Sequence, residues 1–352
     1  MRAITIFSVF MLLFGLSVFA QETKPAIALP DISFTGQAGV NLSAGPEDSR
    51  EASFTFDGFE IMAQSYMHPD AQAVFVLGAH NHEGVIEFEV EEAFLTFSNL
   101  PFSTAVKAGR KLLDFGRINH IHPHEWLFLS KPLIYSGFLG GHGLNGDGAS
   151  VEVLLPLPVF LNVQAGLWRT PEAHHEEEGE EHHHHAFSPA GELYNLRLWS
   201  SFEPAEKTEL EFGLSGLKGT GSCHEDHMDR IVMLGADLTL KMWLSAYSRF
   251  MVMAEAMYLE RQVPPGTFGS IGAYLYAGLR LDKNWEAGLR YDWAETPGPA
   301  RDKHSNISLI ASNYITESFK IRAEYAYSPE EETHTGMIKA VFGIGPHTHP
   351  LQ

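Results

Sequence analysis

Alternation of apolar and polar residues with period two runs through most of this chain. Between residues 284 and 294, Trp285, Ala287, Leu289, Tyr291 and Trp293 share one face, and Glu286, Gly288, Arg290 and Asp292 share the other. That is the pattern of a strand whose two faces meet different surroundings. Phe319, Ile321, Ala323, Tyr325 and Tyr327 oppose Lys320, Arg322 and Glu324 in the same way, and Leu210, Phe212 and Leu214 oppose Glu209, Glu211 and Ser215. About sixteen such runs follow one another from near Ile32 to near Thr335, each near the ~9–11 residues a tilted strand needs to cross a bilayer. No long amphipathic helix interrupts them. A soluble sandwich also alternates, but its strands surround a dry core. Here the polar faces carry Arg, Lys, Glu and Asp in opposed sets, as a water-filled lumen requires. Tyr194, Tyr258, Trp285, Tyr291, Trp293, Tyr325 and Tyr327 mark the apolar faces or strand ends, where an interfacial girdle belongs. The pattern predicts an all-β fold, a transmembrane antiparallel β-barrel of about sixteen strands.

The connections orient this barrel. Short turns at Pro69-Asp70, Asn99-Leu100-Pro101, Glu203-Pro204-Ala205 and Asp282-Lys283-Asn284 alternate with longer polar segments. Outer-membrane barrels have short periplasmic turns and long outer loops. One register needs an irregularity: Glu87, Glu89 and Glu91 share a face, yet Glu92 follows on the other, which calls for a bulge or an interface position there.

The first twenty residues have the form of an export signal: Arg2, an apolar stretch from Ile4 to Leu16, and a small-x-small site at Val18-Phe19-Ala20. Residues 21–352 are then expected to form one barrel domain in the lipid of the outer membrane. With 24 basic and 44 acidic residues the net charge is −20, which disfavours nucleic acid and attracts cations. Cys223 is the only cysteine, so no internal disulfide forms.

Histidine is concentrated in the outer connections. All nineteen fall there except His68, His347 and His349. The densest stretch, in an outer loop at 170–190, runs His-His-Glu-Glu-Glu-Gly-Glu-Glu-His-His-His-His from His174 to His185. It has no apolar residue and no driving force for burial. Imidazole and carboxylate are ligands for zinc and similar metals, so His174, His175, His182, His183, His184 and His185 are candidate ligands; a merely solvated loop is the alternative. His120, His122, His124 and Glu125 form a second candidate group, since alternate spacing on an extended segment puts the three imidazoles on one side; hydrogen-bonded histidines packed inside the barrel are the alternative. His142, and His224 with His227, complete the candidates. None has the spacing of a zinc finger or an H-E-x-x-H helix, so any metal is expected to bind weakly, with no obligatory cofactor.

The third outer connection, about 113–148, is too long and too apolar to project into water. Trp126-Leu127-Phe128-Leu129, Pro132-Leu133-Ile134-Tyr135 and the glycines from Gly137 to Gly148 suggest a constriction folded into the lumen.

Three segments carry a family resemblance: Glu91-Glu92-Ala93-Phe94, Ala108-Gly109-Arg110-Lys111 and Asp114-Phe115-Gly116-Arg117-Ile118-Asn119. They resemble the pattern of phosphate-selective-type and related outer-membrane porins. The continuation through His122-Pro123-His124-Glu125-Trp126 to Gly148 is similar to a subgroup of zinc-associated outer-membrane barrels. The resemblance implies a sixteen-stranded pore that assembles as a homotrimer. Two departures stand out: the acidic balance does not suit phosphate, and the last run is followed by Pro346-His-Thr-His-Pro-Leu-Gln352 rather than ending on an aromatic residue.

The leading expectation is a porin-like channel for small cations, assisting uptake of zinc or a similar divalent metal. Glu209, Glu211, Asp237, Glu255, Arg280, Glu286, Arg290, Asp292, Lys320, Arg322 and Glu324 are the candidate pore-lining charges. The alternatives are a barrel that only anchors metal-binding loops, and a general or anion-selective porin. No signature of a Ser/His/acid set points to an enzyme.

Overall fold

The computed structural model describes residues 29–46, 50–82, 85–140, 143–170, 187–224, 227–263 and 266–346. Its strands are β1 (Asp31–Ala44), β2 (Arg50–His68), β3 (Ala71–His82), β4 (Val85–Leu100), β5 (Thr104–Leu112), β6 (Asn145–Leu154), β7 (Phe160–Thr170) and β8 (Ser188–Ala205). They continue as β9 (Thr208–His224), β10 (His227–Trp243), β11 (Arg249–Val263), β12 (Gly266–Arg280), β13 (Trp285–Glu295), β14 (Lys303–Thr316), β15 (Phe319–Ser328) and β16 (Thr333–Ile344). Every strand pairs antiparallel with its sequence neighbours, and β1 meets β16 from Phe34↔Ile344 to Ala44↔His334. Closure leaves no unpaired edge, the condition for carrying strands through hydrocarbon.

The two faces separate as the alternation requires. Leu234, Leu289, Tyr291 and Tyr325 are about half exposed on the outer wall, while Arg290, Asp292 and Glu324 are buried inside. The strands begin within a few residues of the expected positions.

The irregularity expected at the glutamates is a bulge. Val76 pairs with Glu92 and Leu77 with Val90, so Glu91 is an extra residue in β4. Its insertion turns two consecutive carboxylates toward the lumen.

Residues 113–140, with 143 and 144, between β5 and β6, fold back into the barrel. They contain a short 3₁₀ turn, Pro123–Glu125, and one small helix, α1 (Leu133–Phe138). Phe115, Ile118, Trp126, Phe128, Ile134, Tyr135, Phe138 and Leu144 pack with Leu193, Ile231, Met233, Met253, Met257, Leu259, Tyr274 and Tyr276 of the lumen wall. The half of the lumen beside β8–β12 is thus largely filled by an apolar core with paired charges beside it, and the larger cavities lie along β1–β6.

Candidate functional site

The loop's entry into the lumen is fixed by Asp114 to Asn119. Gly116 has φ +67°, and a Cβ there would lie 2.2 Å from Glu255 Oε1 and 2.5 Å from the Tyr135 hydroxyl, so glycine is required. The amide of Arg117 donates to Glu255 (2.9 Å), and the Tyr135 hydroxyl donates to the same carboxylate (2.8 Å) while accepting from the amide of Ile118 (3.0 Å). Asn119 ties the two ends of the loop together. Its Nδ2 donates to the carbonyls of Leu113 and Leu144 (both 2.8 Å), and its Oδ1 accepts from the amide of Leu144 (2.8 Å). These contacts supply a physical reason for the F-G-R-x-N pattern.

Charges on the wall hold the rest of the loop. Glu324 accepts from the amides of Leu129 (2.5 Å) and Ser130 (3.1 Å), and Arg290 donates to the Ser130 carbonyl (2.8 Å) and lies over the Phe128 ring. Arg322 donates to the carbonyls of Trp126 and Phe128, and Lys320 to that of His124 (2.7 Å).

Most expected pore-lining charges therefore face the lumen without lining water. Glu255, Arg290, Arg322, Glu324 and Lys320 grip the loop. Asp292 pairs with Arg290 (2.8 Å), Asp237 with Arg197 (2.8 Å), and Glu211 with Lys241 (2.5 Å) and Arg117 (3.4 Å). Glu286 is met by the hydroxyls of Tyr276 and Tyr314, and Glu209 lies 3.5 Å from Lys241. Arg280 donates to carbonyls of the Asp282–Lys283 turn and stacks on Tyr314. The difference has two causes: some of these charges meet the backbone of the infolded loop, and others are paired with neighbouring side chains of the wall, where bulk water was expected.

The tip of the loop, His122 to Glu125, reaches the opposite wall. His122 Nδ1 lies 3.0 Å from Glu91 Oε2 and 3.2 Å from Glu60 Oε2, and its Nε2 lies 3.2 Å from Glu92 Oε2. His124 Nδ1 is 3.2 Å from Glu60 Oε1, and its Nε2 is 3.7 Å from Glu125. His80 Nε2, on β3, is 2.6 Å from Glu91 Oε1. The two tip imidazoles are roughly parallel, with centroids 5.9 Å apart. Burial disfavours charge on His122, but Glu60, Glu91 and Glu92 outweigh it and hold the imidazole pKa well above its ordinary value.

His120 stands apart from this group. A turn closed by the Ile121 amide on the Ile118 carbonyl (3.0 Å) breaks the extended segment, and His120 is buried where burial, Arg197, Lys111 and Arg117 push its pKa down to about 3 although Asp114 opposes them. His120, His122 and His124 thus lie inside the lumen, not at the outer rim where the loop's position in the sequence put them. His304, beside Glu331 (3.5 Å), does lie at the outer rim.

Cavities flank the tip. One of about 360 Å³, on the outer side, is bordered by Asp57, Glu89, Glu91, His122 and Lys131. Another of about 200 Å³, on the inner side, is bordered by Glu60, Glu92, Lys107, Lys111 and His122. His122 borders both. Glu60, Glu91 and Glu92 escaped the sequence reading, although the crowded glutamates of β4 signalled the bulge that turns two of them inward. His174, His175, His182 to His185 and His142 lie outside the described residues. His224 and His227 face each other at the ends of β9 and β10 by backbone register; their side chains lie outside the described set.

The closed barrel matches solved outer-membrane proteins in fold. The anion-selective porin of Comamonas acidovorans superposes with a TM-score of 0.62 at 10% identity, over 90% of this chain and 100% of that one. The fold is that of outer-membrane porins. A trimer form of Vibrio cholerae OmpT gives 0.57 at 10% identity (90% and 100% covered), and Salmonella typhi OmpF in complex with daunomycin gives 0.55 at 10% (89% and 97%). In sequence the chain is 29% identical to an uncharacterised protein of Aquifex aeolicus (strain VF5) over 298 residues, 74% of this chain and 63% of that protein's length. No family model matches. The porin fold and the apolar outer wall place the barrel in an outer membrane.

Proposed function

We propose that this barrel is a channel for small cations, with zinc or a similar divalent transition metal as favoured cargo. The observation that carries the reading is the make-up of the passage beside the loop tip. The lysines of β5 that border it have carboxylate partners, Lys107 with Glu152 (3.0 Å) and Lys111 with Asp114 (2.6 Å), and Lys131 of the loop donates to the Gly140 carbonyl (3.4 Å). Glu60, Glu91 and Glu92 instead face imidazoles, whose charge a bound cation can replace. Carboxylates at a waist between two cavities raise local cation concentration, and weak multiple sites permit release as well as capture. The histidine-rich outer segment would supply the first of those sites. A homotrimer is the expected assembly.

Reversal potentials in a salt gradient, measured on the purified protein in planar bilayers, test this. Cation preference that falls in the triple variant Glu60→Gln, Glu91→Gln, Glu92→Gln supports the reading; anion preference in the parent overturns it.

A further inference from the structure

We infer that Glu60, Glu91 and His122 form a binding site for a divalent transition-metal ion of zinc's size, which ties the loop tip to the barrel wall. The donors come from three separate elements: β2, the bulge of β4, and the loop. Three donor atoms, one from each residue, lie within 4.8 Å of one another, and His122 Nδ1 is 3.2 and 3.0 Å from the two carboxylates. Around a tetrahedral zinc with bonds of ~2.0–2.2 Å, neighbouring donors stand roughly 3.3–3.5 Å apart. The two imidazole–carboxylate distances therefore need to open by only a few tenths of an ångström, and the two carboxylate oxygens, no more than 4.8 Å apart, close onto the ion. A water from either flanking cavity can complete the shell.

Two further observations point to an ion rather than to an acidic cluster alone. Nδ1 of His122 is fully buried, and neither nearby carboxylate is in line for a hydrogen bond with it. Each donor residue also has its own orienting partner. Glu92 Oε2 contacts the far ring nitrogen of His122 (3.2 Å), and Glu92 Oε1 is itself fixed by the amide of Leu112 (3.0 Å). His80 holds the second oxygen of Glu91 (2.6 Å), and His124 that of Glu60 (3.2 Å). A carboxylate on the distal nitrogen and hydrogen-bonded ligating carboxylates are the outer shell that metal sites use. Gly78 keeps the cradle open: a Cβ there would lie 2.1 Å from Glu91 Oε1 and 2.8 Å from His80 Nε2. One imidazole and two carboxylates suit zinc and its first-row neighbours better than calcium or magnesium.

The site deepens the proposed cation passage, but its metal-binding measurement does not depend on conduction. The test uses full-length protein with His174, His175 and His182 to His185 each replaced by Ser, so that the outer segment contributes no imidazole. Zinc binding is measured by equilibrium dialysis and titration calorimetry, with heat-modifiable migration confirming the folded barrel. One zinc equivalent is expected, lost in His122→Gln and in Glu60→Gln. In Glu92→Gln, which keeps all three donors, affinity should fall about 10–100-fold. No zinc equivalent in this background, or one that survives His122→Gln unchanged, overturns the site. Cation selectivity without zinc binding would refute the site and leave the channel standing; zinc binding without conductance would do the reverse.

Discussion

Replacing Tyr135 with Phe separates the loop's hold on the lumen from the barrel's own stability. The ring stays in the apolar core, and only the hydroxyl is lost. That hydroxyl donates to Glu255 (2.8 Å) and accepts from the amide of Ile118 (3.0 Å), all of it buried. A buried hydrogen bond contributes ~1 kcal/mol, so losing the two should weaken docking of the loop by roughly 2 kcal/mol. At about 1.4 kcal/mol per factor of ten, the undocked population rises roughly 30-fold. The backbone hydrogen bonds of the sixteen-strand ladder take no part in these contacts and should be unaffected. Single-channel recording should show far more frequent excursions to a larger conductance, while the temperature of heat-modifiable unfolding stays put. Unchanged excursion statistics would refute the docking argument. A lower unfolding temperature would show that loop and barrel do not come apart as separate units.

Three other outcomes follow from the same geometry. Gly116→Ala should exceed Tyr135→Phe in effect, because it adds about 1–2 kcal/mol of left-handed backbone strain to a Cβ 2.2 Å from Glu255 Oε1; the same recordings check it. Gly78→Ala should leave unfolding unchanged, since the displaced atoms are side-chain ends, yet weaken zinc binding by pushing Glu91 aside; dialysis reads this. Lys131 borders the outer cavity, and burial lowers its pKa to about 8. It is a repelling cation below that pH and neutral above it, so cation selectivity should rise from about pH 7 to about pH 9. Lys131→Gln should flatten the profile of reversal potential against pH.

The barrel was legible because lipid and lumen impose different chemistry on alternate residues, and the β4 bulge because four glutamates crowded a stretch that alternation alone could not accommodate. Local sequence could not tell which half of the lumen stays wet. Met251-Val252-Met253-Ala254 is apolar on both faces, a sign that something dry covers the inner side of β11. Arg290 and Glu324 look the same in sequence whether they meet water or the loop backbone. Depth was half legible for His122 and His124: the apolar third connection pointed into the lumen, but outer-rim and lumen-packed histidines both stayed open until long-range contacts with β2 and β4 placed them at the waist.

The seat of the infolded loop has a consequence for how the protein is made. Its apolar lining comes mainly from β7 to β12, with further residues from β13 and β14, and its backbone is clamped by Glu324 and Arg322 of β15. If strands are added in chain order, the loop is synthesised long before its receptacle exists. Docking then belongs to the last stage of biogenesis, when β15 and β16 arrive. The newborn barrel passes through a wider bore before narrowing itself.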